Sequence, residues 1–370
     1  MVHLTLTASA LTVWAETATF ACAMDISLQA TVALPVGQSL QLVAPSDLFE
    51  KALCDEKRWR ETALQRGGTS SARVEFERDR DLSQPSSAEG TLVPELWRIT
   101  CGVLQAVWPI RSTLAQASPP PVHPASADPI LAPNLRDALR LLHDFADLKL
   151  GEQTDAIRVG PERCEAGAGG VFRVVQGLDL PQLEMALLRD DARDMTRFLR
   201  GMRAARTWSE NGRQVFADGQ RWCRVKTVER ARQGGRLLAI PWAVTVTVQA
   251  PDLQKALNVL RVQFIEPDGH VRVSWSAAEP NCLLFTVGVT SGEAVFRCPV
   301  KPAATDAPSN APPDGPSAAA YELTVLYSDL RRASPVVANR SVEIGLGTKG
   351  LRVSQHAEPA HLHTFVAAQR

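Results

Sequence analysis

The feature of this sequence that most constrains its fold is a repeat. Five times in 370 residues a short β-like stretch reaches an Asp or Asn, a short helical pattern opens beside it, and two or three strand-like runs follow. The openings are Leu40–Leu48, Ile130–Leu135, Leu187–Arg193, Val246–Leu253 and Leu323–Leu330. They recur at intervals on the order of 55 to 90 residues, a period that signals an array of like modules. Asp, Asn or Ser just ahead of a helix predicts an N-cap, because its side-chain oxygen accepts from an orphan backbone N–H. The predicted helices are Leu48–Ala63, Leu135–Leu148, Ala192–Ala205, Leu253–Leu260 and Leu330–Asn339. Apolar residues at three- and four-residue spacing, as in Leu135, Ala138, Leu139, Leu142 and Phe145, give such a helix one buried face.

The runs between the helices alternate with a period of two, as half-buried strands do. They are Val74–Phe76, Leu96–Val103, Val171–Val175, Arg213–Val228, Val271–Trp275, Leu283–Val287, Ala294–Val300, Ser341–Ile344 and Leu351–Ser354. Hairpin turns are expected at Asn211-Gly212, Asp218-Gly219, Asp268-Gly269 and Lys349-Gly350. The fold class is therefore α+β, built from repeated helix-plus-antiparallel-strand modules. Two Pro/Ala/Ser-rich stretches, 116–129 and 302–319, are too polar and proline-rich to pack and read as connectors.

Composition limits the function. Forty Lys and Arg balance forty Asp and Glu, so whole-chain charge offers no affinity for nucleic acid, and any such contact needs local segregation of charge. Seven widely spread cysteines without a CxxC pair read as buried free thiols in a reducing compartment. The first 25 residues lack a basic n-region, carry Glu16, and alternate at Leu4, Leu6, Leu11 and Val13, so a strand is expected there and not a signal peptide. No apolar run approaches the roughly 18 residues of a membrane span. Cytoplasmic location and no membrane association are expected.

Catalytic signatures are lacking. Gly167-Ala-Gly169-Gly170 has no following Lys and helix, so it reads as a turn and not a phosphate loop. His356, His361 and His363 fall on one strand-like stretch, but no Cys or carboxylate completes a ligand spacing, and they read as a strand surface. No catalytic residue, metal or cofactor is expected. An enzyme of unrelated α+β fold has only scattered polar residues in its support.

The module order resembles the bacterial DNA sliding clamp, the β subunit of DNA polymerase III, in a divergent form. Val244–Arg370 looks like that family's third domain, with a strand, the Pro251-to-Leu257 helix start, hairpins, and a second strand leading into Asp329-Leu330. Gly177 and Leu180 agree with the family's turn after the second-domain strand, and Pro241 closes the second domain as the family's Leu-Pro does. Met1–Val32 resembles only the trailing strands of a first module. The resemblance implies three clamp domains: 1–115 with its first module truncated, 130–243 after the 116–129 linker, and 244–370 with the insertion at 302–319.

The resemblance also implies a function: a non-catalytic processivity factor. A homo-oligomeric ring, a dimer, would encircle double-stranded DNA without sequence preference and tether DNA polymerase and clamp loader. Its helices would face the DNA, with Lys51, Arg58, Arg136, Arg140, Arg193, Arg197, Arg200, Lys255, Arg261 and Arg331 toward phosphate. Short linear motifs of the partners would enter an apolar groove lined by Val175, Gly177, Leu178, Leu180, Pro241, Phe365, Val366 and Ala368. The alternative reading is a clamp-fold scaffold that binds proteins without forming a DNA-encircling ring.

Overall fold

The computed structural model describes residues 2–6, 10–16, 19–27, 38–44, 74–78, 94–101, 104–116, 124, 127–146, 156–180, 183–210, 212–229, 234–263, 269–289, 292–301, 320–334 and 340–369. In chain order the first strands are β1 (Val2–Leu6), β2 (Ala10–Glu16), β3 (Phe20–Ser27), β4 (Gln38–Ala44), β5 (Val74–Arg78), β6 (Pro94–Cys101) and β7 (Leu104–Gln116). Then come β8 (Asp128–Leu131), α1 (Ala132–Leu142) with a 3-10 turn at His143–Phe145, β9 (Ile157–Val159), β10 (Arg163–Ala168) and β11 (Val171–Gln176). Next are β12 (Met185–Leu187), α2 (Arg189–Phe198), β13 (Ala204–Glu210), β14 (Arg213–Ala217) and β15 (Arg221–Lys226). A 3-10 helix at Gly235–Ala239 leads to β16 (Val244–Gln249), α3 (Ala250–Gln263), β17 (His270–Trp275), β18 (Cys282–Val289) and β19 (Gly292–Lys301). The last module is β20 (Tyr321–Leu326), α4 (Tyr327–Arg332), β21 (Ser341–Gly347), β22 (Gly350–Ala357) and β23 (Ala360–Ala367).

Strand, helix, three strands is thus the unit that recurs four times from β8 to β23. The chain divides into two compact units, Met1–Asp128 with Ala205–Lys226, and Pro129–Ala204 with Thr227–Arg370. In the first, antiparallel strands run in the order β5-β6-β7-β4-β1-β2-β3-β15-β14-β13. Leu4, Phe20, Ala21 and Ala23 of its N-terminal strands are buried, as are Val215, Phe216 and Ala217 of β14.

The second unit holds a 12-stranded sheet ordered β12-β9-β10-β11-β23-β22-β21-β16-β19-β18-β17-β20. Its last two modules exchange leading strands. β16 pairs with β21, the strand after α4, from Val244↔Leu346 to Gln249↔Ser341. β20 pairs with β17, the strand after α3, from His270↔Leu326 to Trp275↔Tyr321. Neither module has a closed sheet alone, so the pair shares one core: Val246, Val248, Val271, Val273, Phe285, Val325 and Ile344 meet Leu253, Leu257, Leu260 and Leu330. Each such Leu contributes about 1.5 to 3 kcal/mol on burial.

The helices depart from their predicted bounds for identifiable reasons. The first, Leu48–Ala63, lies outside the described residues. α1 gives way to the 3-10 turn after Leu142, short of Leu148. α2 ends at Phe198, well short of Ala205, because Gly201 takes φ +79 and the chain re-enters β13 at Ala204. α3 is longer than expected at both ends, and α4 starts three residues early, at Tyr327, and stops at Arg332.

The capping expectation needs a correction. The N-caps of α1, α2 and α4 are Leu131, Leu188 and Leu326, and none makes a side-chain capping hydrogen bond. Asn134, Asp191, Asp252 and Asp329 stand instead at the third residue of their helices. There a carboxylate faces the positive end of the helix dipole without closing a cap.

The turns follow glycine chemistry. Glu210↔Arg213 brackets Asn211-Gly212, with Gly212 at φ +72. Ala168↔Val171 brackets Gly169-Gly170, a turn as expected. The β21–β22 hairpin turns one residue earlier than predicted: Gly347 pairs with Gly350, so the loop is Thr348-Lys349. None of the described cysteines is in a disulfide: Cys164, Cys223 and Cys298 are buried, and Cys22 and Cys282 are half-buried. Burial pushes the Cys164 and Cys298 thiols up to about 12.

Gly350 has φ +152, and a Cβ there would lie 2.1 Å from the Val366 carbonyl oxygen of β23. Gly219 has φ +95 with open space around it. Gly350→Ala should therefore cost clearly more than Gly219→Ala, about 3 kcal/mol or more against about 1 to 2, read from urea midpoints. Equal losses would show that the sheet yields at β22–β23.

Candidate nucleic-acid face and peptide groove

Each described helix turns an apolar stripe to the sheet and a charged face outward. On α1 the buried stripe is Leu135, Ala138, Leu139 and Leu142. On α2 it includes Ala192 and Met195, and on α3 Leu253, Ala256, Leu257 and Leu260. Helical spacing then leaves Arg140, Arg193, Arg197, Lys255 and Arg331 exposed on their helices, with Arg200 just past the end of α2 and Arg136 half-exposed. Lys51 and Arg58 lie outside the described residues, as does the side chain of Arg261.

The face is not uniformly basic. Asp137 sits 3.3 Å from Arg136 and 3.9 Å from Arg140, and Asp194 sits 3.2 Å from Arg197. Exposed pairs of this kind are screened and worth well under 1 kcal/mol each, so the guanidinium groups remain available to phosphate. α1 and α2 pack side by side and bring their arginines to neighbouring surfaces.

The eight residues expected to line a groove do not converge on one spot. β11 runs antiparallel to β23, with Val171 opposite Val366, Phe172 opposite Phe365 and Gln176 opposite His361. Gly177 and Leu178 therefore lie at one end of this seam and Phe365, Val366 and Ala368 at the other. The offset from Gly177 and Leu178 to the positions facing Phe365 and Val366 is five to seven residues, about 17 to 23 Å at the rise of a strand. Val175, Leu180 and Val366 are core residues, 0, 0 and 1% exposed. Gly177 is exposed at φ +80 in a turn that grazes the Pro359 carbonyl. Leu178 reaches the wall of an open cleft of about 680 Å³ with Phe145, Arg173, Arg340 and Ala357–Ala360.

At the other end the structure supplies residues that sequence reasoning missed. Trp242 follows the exposed Pro241 and lies against Phe365, with ring centroids 6.2 Å apart. The Arg352 guanidinium lies 5.5 Å from the Trp242 ring and pairs with Glu343. The indole covers β21 where that strand has no side chains: a Cβ on Gly345 would come within 2.7 Å of Trp242. Two glycines inside a strand, Gly345 and Gly347, were the available signal, since they mark the close approach of another group.

The segment bearing Pro241 and Trp242 is anchored from the sheet. Glu165, fully buried on β10, accepts from the Gly234 backbone N–H at 2.9 Å and pairs with Arg158 at 3.2 Å. Phe172 packs so closely on Gly234 that a Cβ there would meet the ring at 1.8 Å. The 3-10 helix that follows is therefore held at its first residues, and Pro241-Trp242 is delivered to the end of β23.

Arg173 fixes the same seam from its other face. Its Nε donates to Thr364 Oγ1 at 2.9 Å, and its Nη groups donate to the carbonyls of Leu141 and Arg332 at 3.4 and 3.3 Å. Phe145 stacks on the guanidinium at 3.9 Å. Burial lowers the Arg173 pKa to about 9, so the group stays charged at neutral pH. Arg173→Ala strands two helix C-terminal carbonyls and should cost about 3 kcal/mol in urea unfolding. Arg173→Lys, lacking the planar fork, should recover less than half of that; full recovery would mean that charge alone matters.

Comparison with known proteins places this geometry. No protein-family model and no curated protein sequence matches the chain. Solved structures do. The β subunit of the DNA polymerase of Streptococcus pyogenes superposes with a TM-score of 0.71 at 10% identity, over 100% of this chain and 91% of that one. The DNA polymerase sliding clamp of Pseudomonas aeruginosa gives 0.69 at 11% identity over the same shares. That of Caulobacter crescentus gives 0.68 at 14%, again over 100 and 91%. The chain has the sliding-clamp fold of repeated helix-plus-antiparallel-strand modules. Among the described residues no helix is long and apolar enough to cross a membrane.

Proposed function

We propose that this chain is a clamp-like processivity factor of the cytoplasm: a three-domain protein whose homodimeric ring encircles duplex DNA and tethers polymerase and clamp loader, with no catalytic role of its own. One observation carries the reading. In a chain of zero net charge, each of the four described helices buries its apolar stripe and presents Arg or Lys outward. In the sliding-clamp fold such a face suits loose, sequence-independent contact with phosphate, which lets the ring slide. Full-length likeness to clamps supports the architecture. The division into residues 1–115, 130–243 and 244–370 belongs to the same proposal.

Light scattering at micromolar concentration should give twice the chain mass. Binding to linear duplex should be weak and salt-sensitive, with retention on closed circles only after loading. Arg193→Glu with Arg197→Glu should lower the salt slope by about one per lost phosphate contact and leave the unfolding midpoint unchanged. Monomer mass with unaltered binding would overturn the ring and leave the protein-binding scaffold.

Partner motifs would dock at the Trp242 end of the seam, where Pro241, Trp242 and Ala368 present partly exposed apolar surface over the buried Phe365 and beside Arg352. Two Leu or Phe anchors bury roughly 3 to 6 kcal/mol gross, and association costs remove much of it, so micromolar affinity is expected. Trp242→Ala should weaken a fluorescent peptide carrying Gln and spaced Leu/Phe anchors by tenfold or more. Retained affinity in Trp242→Ala, with loss in Leu178→Asp at an unchanged melting temperature, would move the site to the cleft beside Gly177.

A further inference from the structure

The tip of the last hairpin carries a feature that neither DNA nor peptide binding uses. In the β22–β23 ladder His356 is the direct partner of His361. The two imidazoles face each other with centroids 4.2 Å apart, and their Nδ1 atoms are separated by 3.2 Å. Both side chains are exposed.

We propose that His356 and His361 form a two-imidazole chelate for a divalent transition-metal ion such as Zn²⁺ or Cu²⁺. The distance is the first argument. Two nitrogens bound at 2.0 to 2.1 Å to a tetrahedral ion stand about 3.3 Å apart, so the pair already spans a coordination edge. Backbone register supplies the preorganisation, because directly opposed residues of an antiparallel ladder hold their Cβ atoms close without any loop movement. Imidazole nitrogen suits zinc, copper and nickel and discriminates against magnesium and calcium.

The surroundings supply the second argument. Glu358 Oε1 lies 3.8 Å from His356 Nε2, on the far side of the ring from the Nδ1 pair, and is itself held by Arg340 at 3.2 Å. At 3.8 Å the carboxylate makes no hydrogen bond, but its negative charge on that side favours the tautomer with its proton on Nε2 and leaves the Nδ1 lone pair for a metal. Without an ion, one Nδ1–H donates to the other Nδ1; the ion takes the place of that proton, and the donor ring gains a proton from solvent at its Nε2, so both imidazoles bind as neutral ligands. No set of three or more ligating side chains converges among the described residues, so water completes the coordination and the affinity is micromolar. His363, on the same strand, is a poor third ligand because its Nδ1 is engaged with Ser354 Oγ at 2.9 Å. The ion would tie β22 to β23 at the tip, where Ala357–Ala360 wall the cleft of about 680 Å³.

The test is calorimetric titration of the full chain with ZnCl2 and with CuCl2 in chelator-free buffer, with Cu²⁺ electron paramagnetic resonance on the same sample. One micromolar site with two coupled nitrogens is expected. His356→Gln and His361→Gln should each weaken it tenfold or more, and His363→Gln should leave it within twofold. All three positions lie at the surface or half-buried, and unchanged melting temperatures in the metal-free variants verify their folds. Affinity no tighter than millimolar in the parent chain, or an unchanged site in the double variant, overturns the proposal. Loss of affinity in His363→Gln alone would do so as well, by moving the site down the strand.

Discussion

The second unit depends on one buried guanidinium. Arg173 stands on the seam where β11 meets β23, strands separated by some 190 residues of chain. Its donors reach the C-terminal carbonyls of two helices, α1 and α4, that belong to different modules. A helix C-terminus carries partial negative charge on unpaired carbonyls, and two such ends pointed at one place would repel. A single planar cation between them removes the repulsion and satisfies the carbonyls, while Phe145 shields it on its face. The cost of burying charge is visible in the lowered pKa, and fixed donors on several sides offset it. The ends of α1 and α4 are thereby tied to each other and to the sheet.

With the sheet fixed, the rest of each module follows from the division of its helix. Asn134, Asp191, Asp252 and Asp329 sit in the first turns, and Arg140, Arg197 and Arg331 in the last, the order that the helix dipole favours. On α2 and α4 the same order puts acidic residues in the first turn and basic residues in the last. α2 shows the consequence. Three Asp and three Arg within Arg189–Phe198 cancel in sum, yet the exposed groups beyond its middle are Arg193, Arg197 and Arg200. A neutral chain can in this way carry basic groups gathered toward helix ends.

The groove end of the seam depends on a second buried charge. Glu165 bonds the Gly234 amide, and Gly234 and Gly235 lack the side chains that would collide with Phe172 and Arg163. The segment at Gly234-Gly235, which follows β15 in the chain, is thus pressed flat onto β10 and β11 before the chain presents Pro241 and Trp242. Two more glycines, Gly345 and Gly347, receive the indole. The apolar surface at this site is made by residues from three distant stretches, 241–242, 345–352 and 365–368, which no local pattern connects.

Much of the architecture was legible in the sequence, because strand and helix periodicities are local. The alternation of β16, β17 and β21 and the stripe of α1 are read directly from residue order, and so are the Asn211-Gly212 turn and the repeat itself. Helix ends were less legible: the same Asp serves at a cap or at the third helical residue, and only backbone geometry separates the two. Arg193, Arg197 and Lys255 were found because a 3.6-residue period forces them outward once the apolar stripe is buried. The surface proposed as a groove was less legible. Phe365 and Pro241 were named from resemblance, whereas Trp242, Arg352 and the burial of Val175, Leu180 and Val366 follow from pairings across more than a hundred residues. By itself the sequence determined the module, its order and the outward charge of its helices, since each rests on neighbours within a few positions. The tertiary structure decided which strands exchange between modules, that Arg173 and Glu165 are buried, and that His356 faces His361. These are set by sheet register, a property of two strands together that neither strand encodes alone.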